Sequence, residues 1–239
     1  MSGRVTLNKV SAYNLNVVNF TNFVNLPTLA TNSMFGLFKK KAALKYQDKI
    51  WLKKESKYKY LFGLSEAGQR KLIIACFDQT LEEIKFILEK SMVDFSHADS
   101  ITSASSDPQI ILISANNFLR PGSSVSHLTS HFVEIIIFEH HPVSDKDEAL
   151  LNKIKETFGI NIPVSFLVSM DDSLMQQFGA DRIKTLMVRM GMQDDEMMSH
   201  SMISKSIKRA QDKIKSTVKN ELPASSQKEW FEKNAINRR

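Results

Sequence analysis

Short runs of consecutive apolar residues alternate along this chain with segments whose apolar residues recur every three or four positions. The runs KLIIACF (71–77), QIILI (109–113), HFVEIIIF (131–138) and PVSFLV (163–168) read as strands. Their near-continuous hydrophobicity fits strands buried on both faces, and HFVEIIIF, the richest in β-branched residues, is expected at the centre of a sheet. Between them, Leu81, Ile84, Ile87 and Leu88 fall on one helical face, as do Leu150, Leu151, Ile154 and Phe158. Thr80 with Glu83, and Ser144 with Asp147, stand where helix caps belong, and Gly159 stands where a helix stops. Alternation of buried strands with amphipathic helices predicts an α/β fold with a mostly parallel sheet covered on both faces.

Around this centre the pattern is less regular. Tyr58, Leu61 and Phe62 predict a helix from Trp51 that ends near Gly68. The Ser-rich SHADSITSASSD (96–107) and NNFLRPGSSVSHLTS (116–130) read as loops. At the C-terminal end Ile203, Ile207, Ala210, Ile214 and Val218 form one apolar stripe, with Lys205, Lys208, Arg209 and Lys213 on other faces of the same helix. Pro223 ends that pattern, and Trp230 and Phe231 anchor a final short helix. The expected organisation is a segment over 1–44, an α/β domain over 45–192 and a helical extension over 193–239.

Composition narrows the setting. A net charge of +6 allows nucleic acid, anionic lipid or acidic protein partners without choosing among them. The single cysteine, Cys76, excludes a disulfide framework and a cysteine-based zinc site, so a reducing cytoplasm is the expected location. No apolar run approaches the roughly 18 to 20 residues that span a bilayer, and no secretory leader is expected at the N-terminus. Phe35, Leu37 and Phe38 beside Lys39, Lys40 and Lys41 have the chemistry of a short peripheral membrane contact at the inner face, or of a solvated basic turn.

Candidate chemistry is sparse. GLSEAGQR (63–70) has the two glycines of a phosphate loop, but Gln69 and Arg70 stand where Lys and Ser or Thr would hold phosphate and magnesium. The predicted order is also helix then strand, the reverse of what a phosphate loop needs. His127 and His131 are four apart, and Glu139, His140 and His141 are consecutive, yet no third metal ligand is indicated, and polar loop positions are expected for these histidines. Asp171 and Asp172 suggest a paired-carboxylate acid and base, although their place between a strand and SLMQQF suits helix capping better. Asp181 and Arg182 follow Gly179 at the next helix start. No nucleophile elbow, zinc-protease helix or dinucleotide fingerprint follows any predicted strand. No catalytic, cofactor or metal residue is therefore assigned.

The stretch Val164–Ser216 carries a resemblance. SMDDSLMQQFGADRI, then MGM, then SMISKSIKRAQDKI resemble, in order and spacing, the end of the second RecA-like nucleotide-binding domain of the SecA preprotein translocase motors and the start of their scaffold helix. Its fingerprint residues here are Asp171, Asp172, Phe178, Gly179, Asp181 and Arg182. A weaker likeness extends upstream to Lys45, with the lead-in to KLIIACF resembling a helix and glycine turn, and MFGLFKK resembles the amphipathic start of such motors. The resemblance implies a RecA-like fold of the helicase C-terminal type.

The departures from that family carry equal weight. Where the motors have a Gln-x-x-Gly-Arg-x-Gly-Arg segment, this chain has PVSDKDEALLNKIKETFGIN, and NNFLRPGSS, with Arg120 and Gly122, replaces a Gly-Arg-Gly-Thr-Asp turn. The domain that would carry the phosphate loop does not occur in this sequence. Because phosphoryl transfer rests on positioning and electrostatics, the expectation is a pseudo-ATPase that needs no cofactor. It is expected to bind a protein partner, such as a translocase component or a membrane-associated complex, through Lys205, Lys208, Arg209 and Lys213. Two alternatives are a basic helicase-like nucleic-acid module and half of a split ATPase completed by another chain.

Overall fold

The computed structural model describes residues 43–64, 69–97, 109–122 and 132–234. Six strands, β1 (Gln47–Trp51), β2 (Arg70–Ala75), β3 (Phe95–His97), β4 (Ile110–Ser114), β5 (Phe132–Ile137) and β6 (Val164–Ser169), form one sheet in the order β1-β6-β5-β2-β4-β3. All five pairings are parallel. The expected α/β arrangement of RecA-like type, with helices flanking a parallel sheet, is present, and β5 and β2 lie at its centre.

Period-2 alternation divides the core. Leu72, Ile74, Ile111, Ile113, Ile135 and Ile137 face one side with Phe118, Leu150 and Ile154. Ile73, Ala75, Leu112, Ile136 and Phe138 face the other with Tyr58, Leu61, Leu81, Ile84 and Leu88. Thus α1 (Lys54–Lys59) and α2 (Asp78–Lys90) cover one face, while α3 (Ala115–Leu119) and α4 (Ser144–Phe158) cover the other.

A third cluster joins Ile50, Leu52, Phe77, Val168 and Met170 to the remaining helices. These are α5 (Ser173–Gln176), α6 (Ala180–Arg189), α7 (Ser201–Thr217) and α8 (Gln227–Asn234). Ile207 and Ile214 of the predicted stripe are buried there, as is Trp230 at 1 % exposure. Residues Ala42–Arg239 form one compact unit.

Several expectations change. The helix predicted from Trp51 is two elements: Trp51 ends β1, and α1 runs only from Lys54 to Lys59 before a 3-10 turn at Phe62–Leu64. Residues 96 and 97 of the first predicted loop belong to β3, and the second predicted loop contains most of α3. Neither predicted capping pair caps. The N-caps of α2 and α4 are Phe77 and Val143, whose side chains carry no acceptor, while Glu83 takes the Tyr58 hydroxyl and Asp147 takes His140. Gly68, His127, His131 and the segment with Phe35, Leu37, Phe38, Lys39, Lys40 and Lys41 lie outside the described residues.

Gly179 shows why one glycine of the fingerprint has its identity. It is the N-cap of α6 with φ 73° and ψ 41°, in the left-handed region. A Cβ there would meet nothing within 4 Å. Gly179→Ala is therefore expected to cost only the left-handed backbone penalty, about 1–2 kcal/mol, read as a lower urea midpoint with an unchanged slope.

Candidate functional site

The carboxyl ends of a parallel sheet are where such folds place their chemistry. Here the loops after β5 and β6 meet α7 and α8. His140, 4 % exposed, sits between two carboxylates: its Nδ1 is 2.7 Å from Asp147 Oδ2 and its Nε2 is 3.1 Å from Asp48 Oδ1. With both nitrogens facing carboxylates, the ring is an imidazolium that donates twice. Burial alone would depress its pKa, but the charge and hydrogen bond of Asp147, then those of Asp48, hold it up at about 10. The ring stacks on Phe166 at 4.1 Å.

This cluster clamps α7 and α8 to the sheet. Gln211 of α7 donates to His141 O at 2.7 Å and to Asp147 Oδ2 at 2.6 Å. Gln227 of α8 donates to His140 O at 2.9 Å and accepts from Leu174 N at 2.7 Å. Two of the histidines expected at polar loop positions, His140 and His141, are therefore buried: His141 is 8 % exposed.

A cleft of about 250 Å³ brings Cys76 and His141 together with Glu221. The Cys76 thiol donates to Glu139 O at 3.2 Å, and burial pushes its pKa up. Burial pulls His141 down, its Nδ1 accepts from Val143 N at 3.0 Å, and its Nε2 is 3.3 Å from Glu221. A nucleophilic cysteine needs a lowered pKa and a base with a free lone pair. This pair offers the reverse of both.

Asp171 and Asp172 do not cap with their side chains. Asp172 is the N-cap residue of α5 but makes no side-chain cap bond. Its carboxylate takes both Lys57 bonds, at 2.8 and 2.9 Å, and the Ser169 amide at 2.8 Å. Asp171 accepts from Lys54 N at 3.1 Å and from Lys184 at 2.9 Å. Both tie the turn after β6 to neighbouring helices, which fixes geometry and leaves no free acid–base pair. Phe178 packs into the third cluster, while Asp181 and Arg182 are exposed.

Of the basic residues on α7, Lys208 is paired with Glu148 and, at 3.5 Å, with Asp212. Lys205, Arg209 and Lys213 are exposed, spaced four apart on one stripe. Among the described residues, no group of three or more His, Cys, Asp or Glu side chains has the geometry to hold a metal ion, and no helix is long and apolar enough to cross a membrane. The residues missed from sequence are Asp48, Lys57, Asp147 and Gln211. The visible signal was the consecutive Glu139, His140 and His141 at a strand end.

No family model matches the chain. It is 57 % identical over 49 residues to the protein translocase subunit SecA of Christiangramia forsetii and 51 % identical over 49 residues to that of Bacteroides thetaiotaomicron. A fifth of this chain is homologous to SecA. The matched segment is 4 % of each of those relatives. Among solved structures, the C-terminal part of the Fun30 ATPase domain superposes with a TM-score of 0.36 at 16 % identity, covering 54 % of this chain and 44 % of that one. A structure of fission yeast Ccq1 and Tpz1 gives a TM-score of 0.32 at 11 % identity, covering 76 % and 71 %.

Proposed function

We propose that this chain is a noncatalytic binding or adaptor module of the protein-export machinery, acting on the cytoplasmic side and presenting α7 to a protein partner. One observation carries the reading. The SecA-like stretch Val164–Ser216 builds β6 and α5 through most of α7, with Asp171, Asp172 and Phe178 of its fingerprint engaged internally. Lys205, Arg209 and Lys213 are left as an exposed stripe without an ion pair among the described residues. The interval where the resemblance would place phosphate-contacting arginines is instead α4, whose Asp147 holds His140. That employment is structural.

The test is crosslinking and mass spectrometry of the tagged chain in its own cell. Recovery of a translocase component is expected, and the triple substitution K205E/R209E/K213E should reduce it about tenfold, the size expected of three rim charges acting together. Recovery of neither a translocase component nor a membrane protein would sink the proposal. Added ATP turnover on mixing with candidate partners would instead favour a split ATPase, and salt-sensitive RNA binding would favour a nucleic-acid module.

A further inference from the structure

A second cleft, of about 270 Å³, opens at the carboxyl ends of β5 and β6 between α1, the start of α2 and the start of α8. Its floor is Glu139, only 6 % exposed. Thr80 donates a hydrogen bond to this carboxylate, whereas Oε1 meets no donor. The other wall charges are matched. Lys57 is held by Asp172 at 2.8 Å, Lys54 lies 3.0 Å from Glu83, and Asp171 is 2.9 Å from Lys184. Glu83 also takes the Tyr58 hydroxyl. At the rim, Lys228 is 81 % exposed and lies 4.0 Å from Glu232. Among these wall residues Glu139 is the carboxylate left without a cation.

We propose that this cleft binds a cationic nitrogen group, a guanidinium or an alkylammonium, whose N–H donors meet the Glu139 carboxylate where it lines the cleft. A buried carboxylate is stable when paired and hydrogen-bonded, and charge-assisted N–H bonds are the strong way to supply both. A metal ion would find Glu139 alone, because Asp172 and Glu83 are already occupied. An N–H cation needs one carboxylate plus neutral acceptors, and Ser173 and Ser226 line the same cleft. The volume falls below the roughly 300–1,000 Å³ of clefts for drug-sized molecules, so a small headgroup fits best. This site is independent of the α7 surface and stands or falls separately.

Burial pushes the Glu139 carboxyl up to about 7, against the opposing pull of Lys57 and the Thr80 bond. The carboxylate form therefore grows from about a tenth at pH 6 to about nine-tenths at pH 8. Methylguanidine keeps its charge across that range, so its affinity for the full chain should rise about tenfold from pH 6 to pH 8 by calorimetric titration. Glu139→Gln keeps the shape without the charge and should remove both the binding and its pH slope. An N-acetyl-argininamide probe that binds about tenfold tighter than methylguanidine would point to an arginine of a protein partner, and equal binding to a free small molecule. No methylguanidine binding at about 10 mM, a flat pH profile, or retained binding by E139Q would each overturn the proposal.

Discussion

His140→Ala is expected to destabilise the chain by about 3–5 kcal/mol, the range for leaving a buried charge without its partner. The substitution strands two carboxylates at once, Asp48 at 2 % and Asp147 at 5 % exposure. It also removes a ring stacked on Phe166. Domain stabilities of about 5–15 kcal/mol make this a loss of about a fifth or more, visible as a large drop in urea midpoint. Asp147 also holds Gln211, so the docking of α7 should loosen first, giving faster amide exchange along that helix.

The pH dependence follows from the same geometry. His140 is raised from its ordinary 6.5 to about 10, so the stabilisation by its imidazolium is complete below pH 6.5 and is lost as pH rises through about 10. For Asp48, burial raises the pKa, but the bond to His140 and its charge outweigh that and set it below the ordinary value. Its contribution is present above the ordinary carboxylate range and fades as pH falls through the lowered value. The stability gap between wild type and H140A should therefore be widest between the ordinary carboxylate range and pH 6.5, and should shrink between pH 7 and 10. A gap that stays constant across that interval would contradict the imidazolium assignment.

Much of the sheet was legible because β2, β4, β5 and β6 are nearly continuous apolar runs, which few other structures accept. β1 was not legible. Asp48 and Ile50 share one face and Lys49 and Trp51 the other, so no apolar alternation marks the strand. The polar members are satisfied at long range: Asp48 reaches His140 across 92 positions, and Lys49 reaches Glu134 at 2.7 Å across 85.

The cap readings failed for the same reason. A Ser, Thr or Asp near an apolar stripe announces that a helix begins, and α2, α4 and α5 do begin there. It does not say which group its side chain will bond. Ser144 bonds Asp212 and Asp172 bonds Lys57, partners that exist only once the helices have packed. The cluster around His140 was visible as a run of titratable residues at a strand end, but its carboxylates lie in β1 and α4: Asp48 was assigned no partner in advance, and Asp147 was paired with Ser144.

Asp172→Ala carries the second large expected effect and separates the two carboxylates that look alike in the sequence. Lys57 is 2 % exposed and donates to both carboxylate oxygens of Asp172, so the substitution leaves a buried ammonium, at a cost of about 3–5 kcal/mol. Asp171→Ala removes a contact between half-exposed groups and should cost less than about 1 kcal/mol. Adding Lys57→Met to D172A should recover most of the loss, because an apolar side chain in that position no longer needs a counterion. The remainder is the Ser169 amide without its acceptor, about 1–3 kcal/mol. D172A also bears on the second cleft: Lys57 lies close enough to Glu139 to pull its carboxyl down, and once released from Asp172 it becomes the cation that Glu139 lacks. Methylguanidine binding at pH 8 should then weaken although Glu139 itself is untouched, and return in K57M/D172A. Unchanged binding by D172A would mean that the buried ammonium leaves the cleft when its partner is removed.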